Sequence, residues 1–176
     1  MQISPASDND APAIAAIHIQ AWQAAYIDIV AADYLATLCI KQRTASWRQK
    51  MAKGASTILV AKQNHTLLGW INFAPSHDQD ASAIDAEIWA IYVAREAWSS
   101  GVGRVLLLQA KAVLAASGFQ ACSLWVFPQN NRAIKFYTAA GFVHDGAAAK
   151  SFTLGGQVLQ EIRYICPLMT LKTGCK

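Results

Sequence analysis

The stretch "IWAIYVAREAWSSGVGRVLL", Ile88 to Leu107, decides the fold. Its first six residues are apolar and mostly β-branched or aromatic, the composition of a strand. A polar turn follows, then Gly101 and Gly103, then Val102, Leu106 and Ala110 at helical spacing. A strand that passes through glycines into a helix points bare backbone N–H groups at one place. That suits an anion, most often a phosphate. "GVGRVL" is not a dinucleotide fingerprint, because Leu106 replaces the third glycine, and no G-K-[ST] follows as in a Walker loop. On their own, the two glycines suit an ordinary structural turn equally well.

Outward from this junction the chain alternates strand and helix signals. "QISPA" predicts a first strand. Ser7 and Asp8 cap a helix with Pro12 in its first turn and Ile14, Ile17, Ala21 and Ala25 on one face. Tyr34–Leu38 predicts a short helix and Ile40–Lys53 a longer one. The latter carries Lys41, Arg43, Arg48, Lys50 and Lys53, either as a solvated face or as phosphate contacts. Residues 56–74 form a hairpin around Gln63-Asn64-His65. Residues 76–82 are a loop, in which Asp78 and Asp80 are solvated or attract a cation. Residues 83–93 are a strand, and the helix after Gly101 runs to Ser117 with Val102, Leu106, Ala110 and Val113 buried. Residues 121–127 are a strand, 128–131 a turn and 132–140 a helix stopped by Gly141. Three further strands follow, two of them joined at Gly155-Gly156. Such a mixture predicts an α/β or α+β sheet containing antiparallel pairs.

Composition narrows the classes. The chain has 176 residues, 54% hydrophobic and 15% charged, which predicts a single ordered domain over 1–176. The net charge of +4 is too diffuse to argue for nucleic acid. The acidic N-terminus is not a signal peptide and no stretch reads as membrane-spanning. Cys39, Cys122, Cys166 and Cys175 have no metal-type spacing and read as reduced thiols of a cytoplasmic protein, the first three in the core. His18, His65, His77 and His144 are scattered, so no metal is implied.

A second segment, "LWVFPQNNRAIKFYTAAGF" (124–142), carries chemistry. Asn130 lies three residues before Ala133, so it can cap the helix, and its carboxamide can also bond an amide-rich ligand. Tyr137 shares a helix face with Ala133. Its phenol suits either protonation of a leaving thiolate or a packed core tyrosine.

Together, "IYVAREAWSSGVGRVLL" and "NNRAIKFYTAAGF" resemble the two cofactor segments of the GNAT N-acetyltransferase superfamily, and "AWQAAY" and "FTLGGQVLQEIRY" resemble its N- and C-terminal parts. The resemblance implies a mixed, mostly antiparallel central sheet flanked by helices, with acetyl-CoA as cosubstrate. It also implies an acceptor that is an amine-bearing small molecule or a peptide N-terminus, and often a homodimer. It places Ser99, Ser100, Gly101, Val102, Gly103 and Arg104 along the pyrophosphate. Asn130 and Ala133 fall near the pantetheine, Tyr137 near the thiol, and Arg132 and Lys135 by the adenosine-side phosphate. Trp98 stands where the superfamily usually has Gln or Arg. A bulge near Ile91, Tyr92 and Val93 is expected to offer N–H groups to the cofactor and the oxyanion. The acceptor must lose a proton, since alkylammonium groups titrate at about 10. Glu87 stands where such enzymes often carry the base. Asp85 shares its face, and like charge plus burial would raise the Glu87 pKa; an edge-strand carboxylate facing solvent is the other reading. Trp22, Tyr26 and Trp47 suit an aromatic acceptor wall or core packing. A non-catalytic acyl-CoA sensor and a nucleotide-binding enzyme of another class are the rival functions.

Overall fold

The computed structural model of the protein describes residues 1–168. Strands β1 (Gln2–Pro5), β2 (Thr57–Gln63), β3 (Thr66–Pro75) and β4 (Asp85–Val93) lie side by side, each antiparallel to the next. β5 (Ala121–Val126) is parallel to β4, and β8 (Gln157–Pro167) returns antiparallel to β5. β6 (Val143–His144) and β7 (Lys150–Leu154) both pair with β8. The mixed, mostly antiparallel sheet is the class expected, and β4 is an inner strand of it.

Among the described residues five α-helices accompany the sheet: α1 (Ala11–Ala25), α2 (Ala32–Ala36), α3 (Ile40–Lys53), α4 (Val102–Ala116) and α5 (Asn131–Ala139). Strand alternation divides the core between them. Leu59, Ala61, Ile71 and Phe73 pack with Leu106, Ala110 and Leu114 of α4 on one face. Ile58, Val60 and Trp70 pack with Ile14, Ile17 and Trp47 on the other. Trp47 is therefore core rather than acceptor wall.

Local signals held well. Asn64 and His65 both take left-handed φ, the geometry of a two-residue hairpin turn. The short second helix is Ala32–Ala36, two residues earlier than expected, and α5 begins one residue earlier. On α4 the buried stripe runs through Leu107 and Leu114, while Val113 is half-buried. Cys39 is exposed, because it lies outside the packed faces just before α3, whereas Cys122 and Cys166 are buried. Cys175 lies outside the described residues.

Two irregularities shape the centre. Phe73 pairs with Ile88 but Asn72 with Ala90, so Trp89 is the extra residue of a β-bulge. The bulge is thus earlier than Ile91–Val93. Its position follows from the β3 register, which reverses the facing of β4: Ala86 and Ile88 before it, and Ile91 and Val93 after it, all join the α4 side. The second irregularity is that β4 and β5 pair only from Asp85–Ala121 to Glu87–Ser123. Beyond Glu87 the two strands part. No helix among the described residues is long and apolar enough to cross a membrane.

Candidate active site

The strand-to-helix junction begins with a short 3-10 turn at Arg95–Ala97. The chain then passes through Ser99 at φ 61° and Gly101 at φ 89°. An L side chain is strained in that left-handed region, which accounts for the glycine at 101. Helical bonding starts with Val105 N–H donating to the Gly101 carbonyl at 3.1 Å. No side chain caps the helix. Among the described residues nothing accepts from the amides of Val102, Gly103 and Arg104. These donors and the positive end of the helix dipole are what an anion requires. Gly103 lies where α4 faces the gap between α5 and β4; a Cβ there would meet Phe136 and Val93 at 3.5 Å, an ordinary contact distance.

That gap is a cavity of about 380 Å³, the size range of small-ligand sites. Ile91, Tyr92 and Val93 form its β4 wall, and Ser99, Gly101, Val102, Gly103 and Arg104 its α4 wall. Asn130, Arg132, Ala133 and Tyr137 form its α5 wall. Tyr26 closes the inner end with Ala21 and Ala25 of α1. Ser100 and Lys135 are exposed and off the wall; the Ser100 hydroxyl donates to the Ala97 carbonyl at 2.6 Å. Trp98 and Phe136 line the cavity as well. Neither was singled out as a contact, because apolar residues in a turn or on a helix carry no spacing signal.

Asn130 caps α5: its Oδ1 accepts from Ala133 N–H at 3.1 Å, which leaves the amide NH2 for other partners. Tyr137 lies one turn beyond Ala133. Burial pushes its phenol well above the ordinary value, so it holds its proton at neutral pH. Trp22 is not on the wall but stands behind it, donating Nε1–H to the Tyr92 hydroxyl at 2.7 Å.

Glu87 and Asp85 have separate surroundings. Glu87 is 9% exposed and accepts from the His77 N–H at 3.5 Å, with the Trp89 indole also acting on its carboxylate. Burial, then the Asp78 carboxylate, raises its pKa. The like charge is therefore Asp78 rather than Asp85. Asp85 instead accepts from the Ser82 amide at 2.8 Å and hydroxyl at 2.7 Å, closing the β3–β4 loop. Nor is Asp78 a solvated loop residue. Its side chain is 5% exposed and bonds Lys150 at 3.0 Å, Arg163 at 3.3 Å and the Trp125 indole at 3.1 Å. Arg163 also binds Asp80 at 2.7 Å and Asp145 at 2.6 Å, so one guanidinium ties the loop to β8.

Glu161 was not anticipated. Alternation along β8 sets Leu159, Glu161 and Arg163 on one face, the face of Asp78. Burial raises the Tyr26, Tyr92 and Tyr137 phenols, and the Glu161 carboxylate adds to the effect at each. Period-two alternation beside Arg163 was its only signal.

The model of the Acetyltransferase (GNAT) family matches residues 20–142, which include the glycine turn, the cavity walls and Tyr137. The chain belongs to the GNAT family. It is an acyl-CoA-dependent N-acetyltransferase. It is similar to the uncharacterized N-acetyltransferase YuaI of Bacillus subtilis, 31% identical over 167 residues, 94% of this chain and 92% of that one. Among solved structures it resembles the PaiA N-acetyltransferase of Thermoplasma acidophilum in complex with coenzyme A. There the TM-score is 0.73 and the identity 21%, covering 95% of this chain and 99% of that one. It also resembles YncA of Salmonella typhimurium with acetyl-CoA, with TM-score 0.72 and 20% identity, covering 100% of this chain and 97% of that one. In this GNAT chain the cleft brings together free amides at an uncapped helix start and a β4 edge released by the splay.

Proposed function

We propose that the cleft between β4, α4 and α5 transfers an acetyl group directly from acetyl-CoA to an amine, with Glu87 of β4, which is not one of its lining residues, as base and Tyr137 as acid. The observation that carries the reading is one continuous path. It leads from the uncapped amides of Val102, Gly103 and Arg104, past the Asn130 carboxamide, to the Tyr137 phenol. Phosphate negative charge suits the first, an amide chain the second and a thiol the third. Beyond Glu87, β4 has no strand partner on its β5 side among the described residues, and apart from the Val93 carbonyl, which takes the Trp98 indole N–H, its main-chain groups there can pair with the pantetheine.

The acceptor arrives as an ammonium ion. Glu87, directly or through water, takes one proton and leaves a lone pair on nitrogen. A carboxylate whose pKa is raised by burial is better matched to this task near neutral pH. As the C–N bond forms, charge gathers on the thioester oxygen, and β4 amides in the Ile91–Val93 segment are placed to stabilise it. The C–S bond then breaks, Tyr137 gives its proton to the departing sulfur, and the new amide nitrogen sheds its second proton through water, which restores the phenol while Glu87 returns its own proton to solvent. The raised pKa of Tyr137 keeps the phenol proton available.

Tyr26 on the cleft wall, with Trp22 behind it, supports an aromatic acceptor pocket, and Asp85 and Asp78 fix the β3–β4 loop. This favours an amine-bearing small molecule or a peptide N-terminus. The buried, unbridged thiols of Cys122 and Cys166 fit a cytoplasmic protein. The test is a turnover screen of acetyl-CoA against an amine panel, with Glu87→Gln and Tyr137→Phe alongside. Turnover of one amine class, lost in both variants, supports the roles. Tight acetyl-CoA binding with no turnover of any amine favours an acyl-CoA sensor.

A further inference from the structure

We propose that Trp98 and Arg132 form a strap across the mouth of the cleft, in which the indole positions the guanidinium to meet the phosphates of coenzyme A. The proposal rests on the cofactor reading of the cleft. The two residues come from opposite walls: Trp98 ends the turn before α4, and Arg132 is the second residue of α5. The Trp98 ring is fixed from below, because its Nε1–H donates to the Val93 carbonyl at 2.9 Å. On its face lies the Arg132 guanidinium, with Cζ 3.5 Å from the ring centroid. That is stacking distance for a cation–π pair. Both side chains line the cavity that also holds the free amides of Val102, Gly103 and Arg104.

Arg132 has no counter-charge among the described residues: no carboxylate of theirs comes within ion-pair distance of it. An exposed arginine has many rotamers, and an anion that it binds must wait for one of them. Stacking on a ring that is itself hydrogen-bonded in place selects one rotamer in advance. The planar guanidinium keeps its N–H edge free while its face is covered, so it still binds phosphate oxygens. The loop segment 98–101, with Trp98, Ser99, Ser100 and Gly101, has no charge of its own. The strap supplies one from across the cleft. Trp98 is thus a positioning residue that acts through Arg132, whereas Arg104, on the α4 wall, acts independently of the ring.

Calorimetric titrations of the purified chain with coenzyme A and with acetyl-pantetheine, which lacks the nucleotide and its phosphates, test this. Arg132→Ala should weaken coenzyme A binding about tenfold and flatten its salt dependence, leaving acetyl-pantetheine unchanged. Trp98→Ala should cost nearly as much for coenzyme A, and the double variant no more than Arg132→Ala alone. Trp98→Phe keeps a face for the cation and should recover most of the affinity; it also serves if the alanine variant does not fold. Arg104→Ala should add its loss in full to that of Trp98→Ala. Losses at Trp98 and Arg132 that add, or a Trp98→Ala loss equal for both ligands, would overturn the strap and leave Trp98 as wall packing. A parent chain that binds no coenzyme A overturns the cofactor reading and the strap with it.

Discussion

Acid is expected to destabilise this fold through His18 more steeply than its carboxylates alone would. The ring is 8% exposed, and neither nitrogen has a partner among the described residues. Trp22, Trp47, Trp70 and Tyr92 surround it, with Tyr92 stacked at 5.1 Å. Burial, then the charges of Arg43 and Lys50, lowers its pKa from 6.5 to about 3. The unfolded chain therefore takes up a proton on His18 at higher pH than the folded chain does. Stability from this group is complete above pH 6.5 and is lost as the pH falls toward about 3. At about 1.4 kcal/mol per pH unit, the window is worth about 5 kcal/mol. His18→Leu removes the titration and keeps an apolar side chain. Its absolute stability is the sum of opposed effects, relief of two unpartnered nitrogens against loss of ring contacts, so the pH slope is the quantity to read. Urea unfolding of both chains from about pH 6 to pH 4 should show the parent losing about 1.4 kcal/mol more per pH unit than the variant. Parallel profiles would refute the reasoning.

Three other outcomes are expected. Gly103→Val fills the gap toward Phe136 and Val93, and should weaken acetyl-CoA binding at least about tenfold, as measured by calorimetry on a variant shown to be folded by circular dichroism. Tyr137→Phe should lower kcat about a hundredfold with acetyl-CoA affinity unchanged; a variant that turns over like the parent would make Tyr137 a packing residue. Asp78→Asn removes the like charge beside Glu87 and leaves Arg163 and Lys150 less neutralised. Both changes favour the Glu87 carboxylate, so the acidic limb of kcat/KM should move to lower pH, and a stationary limb would show that Asp78 does not act on Glu87.

What was legible in the sequence was local. Asn64-His65 and Gly101 signal their turns through residue types that tolerate left-handed φ, and Asn130 signals its cap through spacing to Ala133. What was not legible depends on residues far apart. The bulge at Trp89 is a count of β4 residues against β3, which no window of β4 contains. The Arg163 ion pairs reach back 83 and 85 residues to Asp80 and Asp78, turning a loop that looks solvated into a fixed one. For the same reason the sequence points to Asp85 as the neighbour of Glu87. Strand periodicity puts the two on one face, but the fold gives Asp85 to Ser82 and brings Asp78 to Glu87 instead. Cys39 was expected inside because of its residue type, while its place between two helices leaves it exposed.

The pH dependence of kcat/KM for the parent and for Glu87→Gln, with one good amine, tests the account most directly. The parent should show an acidic limb above the ordinary carboxylate range, since burial and Asp78 both raise the Glu87 pKa. In Glu87→Gln the rate should fall by about ten- to a thousandfold and that limb should vanish, with acetyl-CoA affinity intact. A variant with the parent's rate and the parent's acidic limb would contradict the account, because the proton of the acceptor would then leave by a route that does not involve Glu87.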